Sequence, residues 1–324
     1  MIDRRLFLAT ATAALAAGPT VHAQTGSAAA WPNRPLRFVV GFSAGSTPDL
    51  IARTIGEPLT KLTGQPVVVE DKPGASGNIA ADIVAKAKDD HTVGVMINLN
   101  LTIARLLNPA LTFDPHKDLA PVCLVGTGPL VVTLAPRWKD KADLKALAAV
   151  GAKLNYGSVG VGSMGHLGME ILSARLGTKP THVPYPGNPQ VLQALANDEV
   201  DVGLIPAGLA MPQVRAGKVV ALAVASSHRS DLAPGVPSLA DLGVKDLDIE
   251  VWVGMAVAST MPEAERKKLE KLVIDILHTP EVGKQLLIQG WDVAALPADA
   301  FKRRIETETS MLAEIIKTQN IRVN

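Results

Sequence analysis

The sequence predicts an α/β protein of two lobes, each built on a mostly parallel sheet flanked by helices and joined to the other by two crossover strands. Short apolar runs alternate with longer stretches of helical periodicity, which is typical of parallel sheets covered on both faces. The chain has 324 residues, of which 47% are hydrophobic, and this is enough to form two cores. Two apolar stretches, 122–132 and 249–258, contain no long flexible linker and therefore suit strands that cross between lobes.

The first lobe begins with three strand–helix units. Each strand is a short apolar run, and each is followed by a pattern of helical spacing. The predicted strands are 36–40, 67–70 and 93–97, and the predicted helices are about 48–62, 77–86 and 101–107. Asn108-Pro109 ends the third helix, because proline disfavours a helical conformation in the residue before it.

The second lobe continues the alternation. Its predicted strands are 130–134, 154–156, 181–183, 200–205 and 219–225, and its predicted helices are 167–176 and 191–195. The last part changes character, since amphipathic helices are predicted at 263–277, 282–289 and 298–317. We assign residues 35–126 and 252–324 to lobe I and residues 127–251 to lobe II.

The N-terminus has the features of an export signal. Arg4 and Arg5 precede an apolar run, residues 6–17, that is too short to span a bilayer, and Val21-His22-Ala23 offers small residues where a signal peptidase cleaves. Residues 1–23 are therefore predicted to be a signal peptide and residues 24–34 an N-terminal extension, and the protein is predicted to be periplasmic. The arginine pair also resembles a twin-arginine signal, so Sec and Tat export both remain open.

Charge and composition exclude several functions. The net charge is +1 and only 3% of the residues are aromatic, so no nucleic-acid partner is expected. The histidines are scattered without the spacing of a metal site, and we expect neither a metal nor a cofactor. The single cysteine, Cys123, lies in an apolar stretch and is predicted to be a buried small hydrophobe.

Two loops have the composition of an anion-binding site. Residues 41–49, Gly-Phe-Ser-Ala-Gly-Ser-Thr-Pro-Asp, join the first strand of lobe I to its helix, and residues 156–165 do the same in lobe II. Backbone N–H groups converge at a helix N-terminus and favour an anion there. Ligands of open α/β sheets bind beyond the carboxyl ends of the strands, so the two loops are predicted to face each other across a cleft. Neither loop contains Lys or Arg, which indicates capture by amides, hydroxyls and ordered water.

The predicted ligand-binding residues belong to these loops and to the ends of nearby strands. They are Ser43, Ala44, Gly45, Ser46, Thr47, Asp49, Asn98, Asn100, Ser158, Val159, Gly160, Ser163, His166, Tyr185 and Gly187. Ser158 and Ser163 are favoured as ligand contacts, because the glycines around them leave few other groups to approach the site.

Residues at the first helix have a structural alternative. Thr47 precedes Pro48 and is equally suited to capping the helix. Asp49 lies three residues after Ser46 and fits a capping-box role, with Arg53 as a partner one turn on. The functional alternative for Asp49 is to face an ammonium group of the ligand or to order a bridging water.

Other predicted residues also have two interpretations. His166 is expected to be a neutral, hydrogen-bonding histidine, since a charged imidazole at a helix N-terminus would oppose the dipole. Asn98 and Asn100 end a strand, where they either reach the ligand or cap the next helix. Tyr185 and Gly187 follow a strand and either line the cleft or turn the chain.

Several short motifs occur in a specific order. They are Gly-Ser-Thr-Pro-Asp-Leu-Ile-Ala-Arg at 45–53, Lys-Pro-Gly-Ala-Ser-Gly-Asn-Ile-Ala at 72–80, Asn-Pro at 108–109, Asp-Pro-His-Lys-Asp-Leu-Ala-Pro-Val at 114–122, Asn-Tyr-Gly-Ser-Val-Gly-Val-Gly-Ser at 155–163 with His-Leu at 166–167, His-Val-Pro-Tyr at 182–185, and Leu-Ala-Val at 222–224. In this order they resemble the substrate-binding receptors of the tripartite tricarboxylate transporter family, the Bug-type periplasmic receptors, from about Pro35 to the C-terminus.

The resemblance implies a two-lobed, type II periplasmic-binding-protein fold with a cleft that closes on a small carboxylated solute. Di- and tricarboxylates, aromatic acids and acidic amino acids are all compatible with it. It also implies that the partners are the large and small integral-membrane subunits of the transporter, and we expect a monomer. Where the family has a glycine pair this chain has Gly45-Ser46, which adds a hydroxyl at the expected cleft edge.

Two motifs suggest enzymes instead. Gly160-x-Gly162-x-x-Gly165 has the spacing of a dinucleotide fingerprint, but residues 171–197 contain no Asp or Glu to bind a ribose. Residues 41–45 form the G-x-S-x-G pattern of a nucleophile elbow, but they follow the first strand of the predicted fold and the helix starts late, at Pro48. We therefore predict a receptor without catalytic residues, and an exported serine esterase that uses Ser43 is the alternative.

Overall fold

A computed structural model of the protein describes residues 31–245 and 247–318. The predicted signal peptide and residues 24–30 of the predicted extension lie outside these residues. Among the helices of the described chain, none combines the length and the apolar character that a membrane span requires.

Lobe I opens with three parallel strands and their helices. In chain order these elements are β1 (Leu36–Val40), α1 (Thr47–Thr63), β2 (Val67–Asp71), α2 (Asn78–Ala85) and β3 (Thr92–Ile97). β1 lies between β2 and β3 and is parallel to both. Ser46 is the N-cap of α1 with an extended backbone, Pro48 lies in the first turn, and Gly64 ends the helix in the left-handed conformation.

Three short helices follow β3, and here the sequence prediction was wrong. They are α3 (Asn98–Leu101), α4 (Ala104–Leu107) and α5 (Pro115–Asp118). A single helix over 101–107 was predicted, whereas α3 begins directly after the strand and ends before Thr102. The hydroxyl of Thr102 donates a hydrogen bond to Asn98 O at 2.7 Å, and Thr102 and Ile103 separate α3 from α4. The interruption is a local backbone feature that hydrophobic periodicity does not reveal.

Lobe II again alternates strands and helices. The elements are β4 (Leu119–Leu134), α6 (Leu144–Val150), β5 (Asn155–Ser158), α7 (Met164–Leu176), β6 (Thr181–Pro184), α8 (Asn188–Ala196), β7 (Val202–Pro206), α9 (Ala207–Arg215) and β8 (Val220–Val224). Helices α6 and α9 were not predicted. α6 is only seven residues long, and Pro212 lies inside α9 and obscures its helical pattern.

The C-terminal part completes lobe I. Its elements are β9 (Glu250–Ala258), α10 (Glu263–Leu277), α11 (Pro280–Ile288), β10 (Asp292–Pro297) and α12 (Ala298–Thr318). The three helices agree with the predicted ones to within two residues. β10 was not predicted, because its pairing with β4 is irregular between Val293 and Leu296 and leaves no clear alternation.

The strands form one continuous curled sheet through both lobes. Its order is β2-β1-β3-β9-β4-β7-β5-β6, and β8 and β10 also pair with β4. The outer strands pair in parallel, whereas the described pairings of β4, β9 and β10 are antiparallel. The predicted α/β class is confirmed. The sheet is mixed, since it contains both parallel and antiparallel strand pairs. The predicted lobe boundaries, 126/127 and 251/252, fall inside β4 and β9 and stay predictions.

The sheet is buried on both faces. Phe38 of β1 belongs to the same apolar cluster as Ile51 and Ile55 of α1. Its neighbour Val39 points to the other face, into a cluster with Trp252 and Phe301. This explains why β1 reads as a continuous apolar run rather than as an alternating one.

The backbone of helix α9 packs directly against the backbone of the turn before β10. A Cβ atom added at Gly208 would lie 1.5 Å from Gln289 O, and one added at Gly290 would lie 2.3 Å from Gly208 Cα. Both neighbours are backbone atoms, so neither can give way by a rotamer change. This contact between the lobes therefore requires glycine on both sides.

We predict that Gly208→Ala lowers the free energy of unfolding by about 1–3 kcal/mol, because the added methyl group overpacks the contact. Urea denaturation of the wild-type and variant proteins measures this. Gly283→Ala in α11 is the matched control. A Cβ atom there meets nothing within 4 Å, and alanine favours a helix by roughly 0.5–1 kcal/mol over glycine. Equal stability of Gly208→Ala and the wild type would contradict the prediction.

Candidate functional site

Each of the two predicted loops contacts the opposite lobe. The backbone N–H of Ser43 donates to Pro186 O at 3.3 Å, and its hydroxyl donates to Gln190 Oε1 of α8 at 2.9 Å. On the other side of the cleft, Gly162 lies against Leu107 and Leu99 with φ of 83°, and an added Cβ would lie 2.1 Å from Leu107 Cδ1. The two lobes are therefore in direct contact at both loops.

Two helix N-termini point into the region between the lobes. α1 begins after Ser46, whose side chain makes no capping hydrogen bond. α7 begins after Ser163, whose hydroxyl accepts the N–H of His166 at 3.3 Å and donates to Gly160 O at 2.8 Å. The positive ends of both helix dipoles are thus directed at the same space, which favours an anion.

A small cavity of about 30 Å³ lies between these two helix ends and is called the inner chamber here. The residues that line it are Phe42, Ser46, Thr47, Pro48, Ile97, Leu130, Val159, Ser163, Met164, Gly165, Asn188, Leu204, Pro206 and Val251. Ser46 and Thr47 are 1% and 2% exposed, and among the described residues their hydroxyl oxygens have no hydrogen-bond partner. Because unpaired buried hydroxyls are costly, these two groups indicate a place where a polar ligand binds.

A second cavity of about 450 Å³, called the outer chamber here, adjoins the inner chamber. Its walls come from residues 74–78 and 99–108 of lobe I and from residues 159–161 and 184–186 of lobe II. Phe42 and Val159 line both chambers. These two residues therefore lie where the two chambers adjoin.

Asp49 stabilises the first loop. One carboxylate oxygen accepts the N–H of Gly45 at 2.8 Å, and the other lies 2.7 Å from Arg53 Nε. The side chain is 2% exposed. The carboxylate thus spans the residue before the N-cap and the next turn of α1, and its charge is compensated by Arg53.

Ser158 and Ser163 are held within the second loop. Ser158 Oγ lies 2.7 Å from His182 Nε2, and it accepts the N–H of Gly160 at 3.1 Å. The two serine hydroxyl oxygens are 3.5 Å apart. Both side chains are 2% exposed or less, and Ser163 also lines the inner chamber.

Two buried histidines support this loop. His166 Nδ1 accepts the N–H of Gly162 at 3.2 Å, and the ring centroids of His166 and His182 lie 4.5 Å apart. Burial lowers the pKa of His166 from 6.5 to about 4. Burial, followed by the neighbouring His166, lowers the pKa of His182 to about 4 as well, while Glu170 opposes this shift. Both rings are therefore neutral at neutral pH.

The predicted site residues occupy several positions. Those that line a chamber are Ser46, Thr47, Val159, Gly160, Ser163 and Tyr185. Ser43 and Gly187 lie at the contact between the lobes, where an added Cβ at Gly187 would be 2.3 Å from Ser43 Oγ. Ala44 is exposed beside this contact, and Gly45 donates to Asp49.

Asn98 and Asn100 make structural hydrogen bonds. Asn98 Nδ2 donates to Glu308 Oε1 at 2.7 Å, and Asn98 Oδ1 accepts the N–H of Trp252 at 3.0 Å. Asn100 Nδ2 donates to Ser76 O and to Asn78 Oδ1, both at 3.1 Å. Asn98 thus joins α3 to β9 and α12, and Asn100 holds the loop before α2. A direct role of either side chain in binding stays a prediction.

Sequence reasoning missed the apolar lining of the inner chamber. Phe42 lies inside the predicted loop but carries no polar group, and Leu130 and Val251 belong to the crossover strands. His182 and Gln190 were also absent from the predicted site. Their positions depend on how β6 and α8 pack, and β6 pairs with β5, the strand before the second loop.

A larger groove, about 1310 Å³, lies between α9 and the helices α11 and α12. Its lining mixes cations and carboxylates, and of the two predicted loops it includes only Met164. No group of three or more metal-ligating side chains occurs in residues 31–245 and 247–318. The inner and outer chambers are therefore the candidate site.

A two-lobed α/β fold with helix N-termini facing each other across a cleft is typical of periplasmic solute-binding proteins. The profile of the tripartite tricarboxylate transporter family receptor matches residues 51–321. The chain belongs to this family, and the resemblance seen in its motifs is confirmed.

Relatives agree with this assignment. Protein BugT of Bordetella pertussis is 32% identical over 90% of this chain and 91% of BugT. MatC from Rhodopseudomonas palustris with bound malate is 30% identical, covers 88% of this chain and 99% of MatC, and has a TM-score of 0.83. R. palustris Rpa4515 with adipate is 27% identical, covers 90% of this chain and 99% of Rpa4515, and has a TM-score of 0.86.

We predict that the protein loses stability as the pH falls from about 6.5 to 4. The unfolded chain protonates His166 and His182 in this window, whereas the folded protein does not, so acid favours the unfolded state. The contribution of His166 is on the order of 3 kcal/mol at full extent. His166→Asn keeps an acceptor near Gly162 and should reduce the slope of unfolding free energy against pH.

The control for this experiment is His278→Asn, which alters an exposed histidine after α10. The measurement is urea denaturation at intervals from pH 7 to pH 4 for the three proteins. An identical pH slope in wild type and His166→Asn would show that His166 is not responsible.

Proposed function

We propose that the protein is a periplasmic receptor that captures a small carboxylated solute between its lobes and delivers it to the membrane subunits of a tripartite tricarboxylate-type transporter. The predicted export signal supports the location, and the family supports the transporter partners. The lobes open to admit the solute and close upon it, so that the solute's higher affinity for the closed state shifts the population.

One observation carries this proposal: Ser46 and Thr47, whose buried hydroxyls have no hydrogen-bond partner among the described residues, line a cavity between the N-termini of α1 and α7. A carboxylate accepts hydrogen bonds from hydroxyls and is stabilised by two positive helix ends. The inner chamber of about 30 Å³ has room for about one or two waters, so a solute enters only when the lobes separate.

Two relatives support the kind of solute. Malate is bound to MatC and adipate to Rpa4515, and both are carboxylates. Membership of the family is the only support for the membrane subunits as partners. Release into a transporter requires moderate affinity, and the lack of a lysine or arginine in either chamber lining is consistent with this.

An esterase mechanism has no support in the geometry. In the described structure the hydroxyl of Ser43 bonds to Gln190 Oε1, and no histidine is among its hydrogen-bond partners. A serine nucleophile needs a general base within hydrogen-bond reach. We therefore propose that the protein binds its solute without chemistry.

We predict that Ser46→Ala and Thr47→Val each lower carboxylate affinity about tenfold to a hundredfold, since each removes one hydrogen bond to a charged group. Neither variant should lose stability without ligand, because neither hydroxyl has a protein partner. The probe is whichever of hexanoate, adipate, malate and tricarballylate raises the melting temperature most. Affinity is measured by isothermal titration calorimetry.

Ser310→Ala on the exposed face of α12 is the matched control and should bind the probe with wild-type affinity. If the variants at Ser46 and Thr47 also bind as tightly as the wild type, the inner chamber is not the carboxylate site.

We also predict that a fluorophosphonate probe does not label the purified protein. The reason is that Ser43 has no base to remove its proton. Intact-mass spectrometry detects labelling, and a covalent adduct on Ser43 would refute the proposal that the protein is only a receptor.

A further inference from the structure

We infer that the solute has a single carboxylate head and an apolar body, either a hydrocarbon chain or a ring. The head binds in the inner chamber, and the body passes between Phe42 and Val159 into the outer chamber. This inference rests on the proposed function and specifies the class of solute.

The polar groups of the inner chamber suffice for one carboxylate. Ser46 and Thr47 supply two unpaired hydroxyls, and the first turns of α1 and α7 supply amides. The hydroxyl of Ser163 is already engaged with Gly160 O and the His166 N–H. No third hydroxyl is therefore free to receive a second carboxylate at the same end.

Apart from Asn188, the rest of the inner chamber is apolar. Ile97, Leu130, Leu204 and Val251 are each 8% exposed or less and line it together with Phe42. A hydroxyl or a second carboxylate held against these side chains would lose hydration without gaining a hydrogen bond. Methylene or aromatic carbons, in contrast, gain free energy when they leave water for such a surface.

Formal charge is missing from the described lining of both chambers. None of the described residues that line them is Lys, Arg, Asp, Glu or His. Asp49, in the first loop, is paired with Arg53. Each further carboxylate on the solute would thus enter without a counter-charge, and a tricarboxylate is the least favoured class.

Val159 and Phe42 are the side chains that contact the apolar body of the solute in this arrangement. Both line the two chambers, so a solute that occupies both chambers lies against them. Phe42 is 3% exposed, whereas Val159 is partly exposed at the tip of the second loop. Val159 is therefore the position that can be altered with least effect on folding.

Three six-carbon acids test the inference: hexanoate with one carboxylate, adipate with two and tricarballylate with three. Titration calorimetry on the mature wild-type protein should give the tightest binding for hexanoate and the weakest for tricarballylate. In the series from butanoate to hexanoate, affinity should rise about fourfold for each added methylene, as expected for burial in an apolar chamber.

Val159→Thr replaces a methyl group by a hydroxyl of the same size and should weaken hexanoate binding about fivefold to tenfold, with a smaller effect on acetate. Val68→Thr, at an exposed position of β2, makes the same chemical change away from the cleft and should leave hexanoate binding unchanged. Melting temperatures of both variants show whether they fold.

The two failures are distinguishable. If adipate or tricarballylate binds as tightly as hexanoate, or if Val159→Thr leaves hexanoate binding unchanged, the receptor function stands and the apolar-body inference is overturned. If no carboxylate in the panel binds the wild-type protein, the proposed function fails as well.

Discussion

The backbone pairing of β4 is the constraint on which the rest of the structure depends. This single strand of 16 residues pairs with β9 and β10 in its first part and with β7 and β8 in its second. The two lobes therefore share one hydrogen-bonded sheet, and no flexible tether lies between them. Since strand register is fixed by these bonds and by the buried faces, β1 and β5 end at defined places. Their loops bring two helix N-termini to one cavity.

The charged groups around the cleft hold its loops and do not line it. Asp49 is engaged by Gly45 and Arg53, and Glu308 is buried with Asn98 and Trp252 as donors. The histidines under the second loop are neutral because burial lowers their pKa. The groups that remain for a solute are hydroxyls, amides and apolar side chains. The residues that position the loops thus differ from those proposed to recognise the solute.

The sequence predicted the elements whose apolar period is strong, such as β1, α1 and α10, and it predicted that the two glycine- and serine-rich loops belong together. The prediction of secondary structure failed where the local backbone departs from the apolar periodicity. This happened at Thr102, between α3 and α4, and in the irregular strand β10. The hydroxyls of Ser46 and Thr47 could be named from the loop. Their lack of hydrogen-bond partners could not be predicted. A Ser or Thr at the start of a helix looks the same in the sequence whether its hydroxyl caps the helix or remains unpaired. The sequence did not identify Phe42, Leu130 and Val251 as site residues. Apolar residues belong to the hydrophobic core far more often than to a binding site.

The neutrality of the cleft has a consequence for the rate and conditions of capture. A receptor with a basic pocket attracts anions over a distance of about one Debye length, and its performance falls as salt rises. Here the described chamber walls carry no formal charge, so no ion pair with the walls contributes to binding a solute there. Affinity that rests on amides, hydroxyls and apolar contacts depends less on ionic strength than affinity that rests on exposed ion pairs.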